Sequence, residues 1–224
     1  MLWFMTCWSV ILCLHGYRQS AQGFREKTGS FRKSLKKFAD FVFLDAPHKV
    51  CAEQGGGEDN DQCLGWWFSR EDNYYRAVEY SDIHKGFSQS VEHVCKFIRE
   101  QGPFDGVLAF SQGACFLSLL CAMKKCGELD LDLGFVMLFA AFRSRCSPHA
   151  KYYSPDHVSS VPALLCIGEG DEVIPLEMGN ELIECFNDPV VLYHPGGHFL
   201  PTQPEQRKFY QNFLEKRLAV KKSQ

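Results

Sequence analysis

Six short apolar runs, Trp8 to Leu14, Phe41 to Leu44, Gly106 to Phe110, Phe135 to Ala140, Ala163 to Gly168 and Val190 to Tyr193, are separated for most of the chain by stretches with helical spacing. That alternation constrains the fold more than any other feature. Strands that alternate with helices predict a mostly parallel sheet covered by helices on both faces, with ligands beyond the carboxyl ends of the strands. Phe24, Thr28, Phe31, Leu35 and Phe38 share one face of a predicted helix. Its other face carries Arg25, Lys27, Arg32, Lys33, Lys36 and Lys37, which read as solvated charge rather than a nucleic-acid or membrane surface. Phe87, Val91, Val94, Cys95 and Ile98 mark a second helix, stopped by Gly102-Pro103. Further helices are expected at Gln112 to Cys126, Leu176 to Phe186 and Gln206 to Leu218.

The 224 residues fit one α/β domain. From about residue 48 to 80 the periodicity fails, and a flexible insertion near the active rim is expected there. Its EQGGGEDNDQ stretch is a linker, because no G-K-[ST] follows to make a phosphate cradle.

Composition narrows the function classes. A chain 46% hydrophobic and 23% charged buries a real core and is not disordered. With 24 Lys and Arg against 27 Asp and Glu, it has no basic field to hold a nucleic-acid backbone, so no nucleic-acid partner is expected. The 11 cysteines are scattered with no C-x-x-C pair, which argues against a zinc cage or a disulfide framework and for reduced thiols inside the cell. Met1 to Leu14 is apolar enough to suggest a signal peptide. It is too short to span a membrane, lacks a basic leading region, and is not followed by a small-residue cleavage site. The reading is therefore a retained first strand, no stable membrane insertion and a cytoplasmic protein, with the nucleus left open.

The segment with the most chemistry is Gly106-Val-Leu-Ala-Phe-Ser111-Gln-Gly113-Ala. A strand, a sharp turn and a helix in that order make a nucleophile elbow, which projects a serine hydroxyl clear of the sheet and aims the helix's free amides at the same spot. Small residues are needed two places either side of the serine, where the strand and helix backbones nearly touch. Gly113 meets that need, and Ala109 exceeds the usual glycine by one methyl. A serine needs a base and the base an orienting acid, and in this architecture they follow in the order serine, acid, histidine. Asp171 fits the acid, with Glu169 and Glu172 as competitors ranked below it because Val173, Ile174 and Pro175 anchor the Asp171 loop. His198 fits the base, since Gly196-Gly197 lets the chain turn its ring inward. The other seven histidines, including His194, read as surface or satisfied residues.

These motifs, together with His15-Gly16-Tyr17-Arg18-Gln19-Ser20, Asp45-Ala46-Pro47-His48, Gly65-Trp66-Trp67-Phe68 and Gly102-Pro103-Phe104-Asp105-Gly106, resemble the FSH family of serine hydrolases from about Val10 to Leu218. The resemblance implies an α/β-hydrolase fold, a triad of Ser111, Asp171 and His198, and hydrolysis of carboxylic esters. Ala109 and the bulky residues Met1 to Thr6 depart from the pattern. The expected mechanism is acyl transfer through Ser111, with the backbone amides of Tyr17 and Gln112 receiving the oxyanion and no metal or organic cofactor. Trp66, Trp67 and Phe68 are expected either to cap the core or to line a groove for the substrate chain. With no cationic residue fixed nearby in the motifs, neutral aliphatic esters of medium to long chain are the expected substrates. An acyl-protein thioesterase or lysophospholipase activity and a non-catalytic binding module are the alternatives.

Overall fold

Alternation along each strand sorts its side chains between two cores, and those cores hold the molecule together. The computed structural model describes residues 8–50 and 63–223. Met1 to Thr6 and the EQGGGEDNDQ linker lie outside the described residues. The strands are β1 (Ser9–Leu14), β2 (Ala39–Leu44), β3 (His48–Lys49), β4 (Leu64–Gly65), β5 (Gly106–Phe110), β6 (Val136–Phe139), β7 (Ala163–Gly168) and β8 (Val190–His194). The α-helices are α1 (Ala21–Lys27), α2 (Gly29–Leu35), α3 (Phe87–Gln101), α4 (Gln112–Lys125), α5 (Leu176–Ile183) and α6 (Pro204–Ser223).

Six strands form a sheet in the order β2-β1-β5-β6-β7-β8, parallel at every pairing. Leu12, Leu14, Val107, Ala109, Val136, Leu138 and Leu165 face one core, closed by Val94 of α3, Phe116 and Leu119 of α4 and Leu182 of α5. Ile11, Cys13, Leu108, Phe110, Met137, Phe139, Leu164 and Cys166 face the other, closed by Phe24 of α1, Phe31 and Leu35 of α2 and Tyr210 and Leu214 of α6. Strands covered on both faces explain why the six runs are apolar throughout. Each fully buried leucine or isoleucine contributes about 1.5–3 kcal/mol relative to exposure.

The chain runs from β1 to β2 on one side and returns to β5 on the other. The carboxyl ends of β1 and β5 therefore flank the point where strand order reverses, the usual crevice of such a sheet. That places His15-Gly16-Tyr17 and Ser111 side by side.

Two local expectations are corrected. The single helix over Phe24 to Phe38 is two, because Thr28 leaves helical geometry (φ −92°, ψ 11°) and its Oγ1 donates back to the Phe24 carbonyl at 2.7 Å. A β-branched residue followed by Gly29 is a weak point in a helix. Phe24, Phe31 and Leu35 still point into the core, while Phe38 falls beyond α2 and is half-buried. Within the irregular 48–80 region, β3 and β4 pair antiparallel, so part of it is a short hairpin.

Candidate active site

Ser111 stands between β5 and α4 with φ 53° and ψ −120°, a left-handed φ that a non-glycine residue adopts only under constraint. The constraint is visible on both sides. The Ser111 amide donates to the Phe139 carbonyl of β6 at 2.9 Å, and its carbonyl accepts from the Cys115 amide at 3.0 Å. Such a conformation costs about 1–3 kcal/mol and persists because its surroundings over-determine it. Ala109 is fully buried between Leu14 and Leu138 of the neighbouring strands, its methyl part of the core. At Gly113 a β-carbon would lie 2.4 Å from the His15 carbonyl oxygen and 2.8 Å from that of Leu14. Gly113→Ala should thus cost about 1–3 kcal/mol of stability by overpacking, read as a lower midpoint in urea unfolding; an unchanged midpoint would mean that the helix and strand can part freely.

Three side chains from three strand ends meet in one line. His198 Nε2 lies 2.9 Å from Ser111 Oγ, and His198 Nδ1 lies 2.7 Å from Asp171 Oδ2. The other carboxylate oxygen, Asp171 Oδ1, accepts from the amides of Val173 at 2.9 Å and Ile174 at 2.8 Å. Burial disfavours the Asp171 charge, but the His198 hydrogen bond and the two amides outweigh it and hold the carboxyl below its ordinary value. An ionised Asp171 accepts the Nδ1–H of His198, which leaves Nε2 free to accept the Ser111 hydroxyl. Phe110 packs on the imidazole with ring centroids 4.8 Å apart. Of the competing acids, Glu169 and Glu172 are both exposed; the carboxylate on His198 is that of Asp171.

The turn after β1 runs against the serine. A β-carbon on Gly16 would sit 3.0 Å from Phe110 Cδ1 and 3.2 Å from Ser111 Cβ, so a side chain there would have to push the turn or its neighbours back by a few tenths of an ångström. Tyr17 follows it into the cleft beside Ser111 and His198. Gln112 opens α4, and a first-turn amide has no acceptor within its own helix.

A cleft of about 460 Å³ opens at Ser111 and His198. Its apolar wall is Tyr17, Tyr75, Ala77, Val78, Val173 and Ile174. Trp66, Trp67 and Phe68 do not line it: Trp66 and Trp67 are completely buried and Phe68 nearly so. Trp66 stacks on Phe116, with centroids 5.2 Å apart, and Trp67 meets Phe87 and Tyr75 edge-on. These three residues belong to the core, since bulk so apolar is better covered than exposed to a wet cleft. The expectation of a rim without cations is also corrected, because Arg18 and Arg76 both line the cleft, alongside Glu172. Both arginines are exposed, and Arg76 pairs with Glu79 at 3.4 Å.

The wall from Tyr74 to Val78 escaped the sequence reading because it lies in irregular chain with no period to follow. His15 also has more to do than fill space. The Ala46 amide donates to its Nε2 at 3.0 Å, so its Nδ1–H donates to the Gly16 carbonyl at 2.8 Å. Burial lowers its pKa. Among the described residues no group of three His, Cys, Asp or Glu side chains is placed to hold a metal, and no helix is long and apolar enough to cross a membrane. All nine described cysteines are free thiols.

The chain is similar to known proteins over most of its length. The chain is 41% identical over 219 residues to "Esterase OVCA2" of Danio rerio, covering 92% of this chain and 96% of the relative. It is 42% identical over 216 residues to "Esterase OVCA2" of Xenopus tropicalis, covering 93% of each. Among solved structures, Arabidopsis thaliana SOBER1 superposes with a TM-score of 0.64 at 19% identity, over 94% of this chain and 99% of that one, which supports the α/β-hydrolase fold. The family model described as serine hydrolase (FSH1) matches residues 5–210. A match over nearly the whole length, carried by relatives at this identity and by a serine poised on a histidine, makes this chain an enzyme of the serine hydrolase (FSH1) family.

Proposed function

We propose that the protein hydrolyses carboxylic esters by two-step acyl transfer, with Ser111 as nucleophile, His198 as general base and acid, and Asp171 as the group that orients and stabilises the imidazolium. The observation that carries this reading is the continuous relay from Asp171 through His198 to Ser111, with spacings of 2.7 and 2.9 Å. His198 Nε2 takes the hydroxyl proton as Ser111 Oγ bonds to the ester carbonyl carbon. The resulting oxyanion is received by the amides of Tyr17 and Gln112. When the intermediate collapses, the C–O bond to the alcohol breaks and the leaving oxygen takes the proton from Nε2. Water then attacks the acyl-enzyme, passing its proton to Nε2, and the acid departs as Ser111 Oγ is reprotonated. The names of the vertebrate relatives point the same way. The test is labelling by a fluorophosphonate probe. The wild type should be modified at Ser111 and the Ser111→Ala variant left unmodified; a wild type that resists the probe would overturn the reading.

The cleft wall supports neutral aliphatic esters of medium to long chain. A chain laid along Tyr75, Ala77, Val78, Val173 and Ile174 would gain about 0.8 kcal/mol, close to fourfold, for each methylene fully removed from water. Of the two arginines that line the cleft, both exposed, Arg76 is paired with Glu79. In a nitrophenyl ester series kcat/KM should rise from acetate with chain length and then level off, and Val78→Asp should flatten the rise. A flat or falling series in the wild type would remove the chain-length reading and leave the relay untouched. The described cysteines, all free thiols, support the reading of a reducing compartment such as the cytoplasm. Mass spectrometry of the protein from cells should find an N-terminus before Leu14.

A further inference from the structure

Gln112 contributes its backbone amide to the proposed oxyanion site, but its side chain points the other way and is wholly buried. There it bridges the backbones of two successive residues of another segment. The Trp66 amide donates to Gln112 Oε1 at 2.9 Å, and Gln112 Nε2 donates to the Trp67 carbonyl at 2.8 Å. Trp66 in turn reaches the second half of the site, its indole Nε1–H donating to the His15 carbonyl at 2.8 Å. That same carbonyl oxygen lies against Gly113, where a β-carbon would come within 2.4 Å of it. The His15 carbonyl is thus gripped between the indole and the first turn of α4. The Trp66 carbonyl accepts from the Ser90 hydroxyl of α3, so none of its polar groups is left loose.

We propose that the Gln112 side chain and Trp66 are positioning residues for the oxyanion site: together they lock the turn bearing the Tyr17 amide to the helix start bearing the Gln112 amide. This rests on the reading that those two amides receive the oxyanion. The two donors come from separate strand ends, β1 and β5, and no covalent path shorter than ninety-odd residues joins them. Their spacing therefore depends on noncovalent links. A donor is effective only when aimed at the place where charge develops, and a misplacement of about an ångström costs up to about a hundredfold. The bridge from Gln112 through Trp66 to His15 spans that gap with three hydrogen bonds between fully buried groups. Buried bonds of this kind are costly to break, because each lost partner leaves another unsatisfied.

The experiment compares the wild type with Gln112→Met, which keeps length and removes both side-chain bonds, and with Trp66→Phe, which keeps a ring against Phe116 and removes the indole donor. Two readouts depend on the oxyanion: kcat on a nitrophenyl ester, and inhibition by an alkyl trifluoromethyl ketone, whose adduct with Ser111 carries that charge. Two do not: KM and inhibition by the matching alkyl alcohol. Both variants should lose about tenfold to a hundredfold in kcat and in trifluoromethyl ketone affinity by the same factor, with KM and alcohol inhibition within about twofold. The double variant should lose less than the product of the two, since both act on one link. Folded variants with unchanged kcat and ketone affinity would overturn the proposal, and so would losses shared equally by KM and alcohol binding. Should Gln112→Met fail to fold, Trp66→Phe decides alone. A wild type left unlabelled by fluorophosphonate would defeat the acyl-transfer reading itself, whereas a labelled wild type with unaffected variants defeats only the positioning role.

Discussion

Ser111→Ala should lower kcat/KM for a nitrophenyl ester by about 10⁴-fold or more while leaving the thermal midpoint within a few degrees of the wild type. His198→Ala should fall as far, and combining the two should cost little beyond either alone, because nucleophile and base act as one unit. Asp171→Asn should lose about 10⁴-fold for a different reason. The Asp171 carboxylate has one oxygen tied by the Val173 and Ile174 amides and the other on His198 Nδ1. An amide there can present its N–H to Nδ1 and select the tautomer whose Nε2 carries a proton, which cannot take another from Ser111. Glu172→Gln makes the matched control. Glu172 lines the cleft but is exposed to water, and its loss should change turnover by no more than about threefold. Near-normal turnover in Asp171→Asn with collapse in Glu172→Gln would show that the acid has been misplaced.

The features legible in the sequence are those whose physics is local. β5, the turn at Ser111 and the start of α4 occupy nine consecutive residues, so strand, turn and helix signals overlap in one window. Asp171 and His198 each follow directly on an apolar run, and the topology carries those strand ends to one rim. What the sequence hides is partnership across long separations. Trp66 and Gln112 are bonded to each other 46 residues apart, and nothing in the Trp-Trp-Phe cluster says whether its bulk meets a cleft or a helix. The answer lies in α4, whose Phe116 takes the stacking face of Trp66. The cleft wall from Tyr74 to Val78 has no periodicity, and its exposure follows from where the chain is pinned, as at the Phe68 to Lys85 bridge. The Thr28 break in the first helical stretch was hidden too, because the apolar spacing runs through it unbroken.

Acid should destabilise the fold steeply, beginning well above the range in which carboxylates titrate. His149 is wholly buried, with Trp67, Phe87 and His84 about it. Its Nε2 lies 3.1 Å from His84 Nδ1 and its Nδ1 lies 2.8 Å from Ser144 Oγ. Burial, with the neighbouring His84, pushes its pKa down to about 3. In the unfolded chain an ordinary histidine titrates near 6.5. Between those values the unfolded state binds a proton that the folded state refuses, so stability falls as pH falls, by up to about 1.4 kcal/mol per pH unit for that one proton. Burial lowers His15, His84 and His194 as well, which steepens the same slope. Asp171, held below its ordinary value of 3.8, joins only at the acid end of the window. Unfolding free energies from urea titrations should therefore be level only near neutrality, drop from about pH 6.5 toward pH 4, and fall again toward about pH 9, where the unfolded chain gives up thiol protons that burial makes Cys13, Cys115, Cys121 and Cys166 keep. His149→Gln, which cannot titrate, should flatten the drop by close to one proton even if it starts from a lower stability. A variant slope equal to that of the wild type would show that His149 takes up its proton without leaving the folded core, and would remove the buried neutral histidine as a source of acid lability.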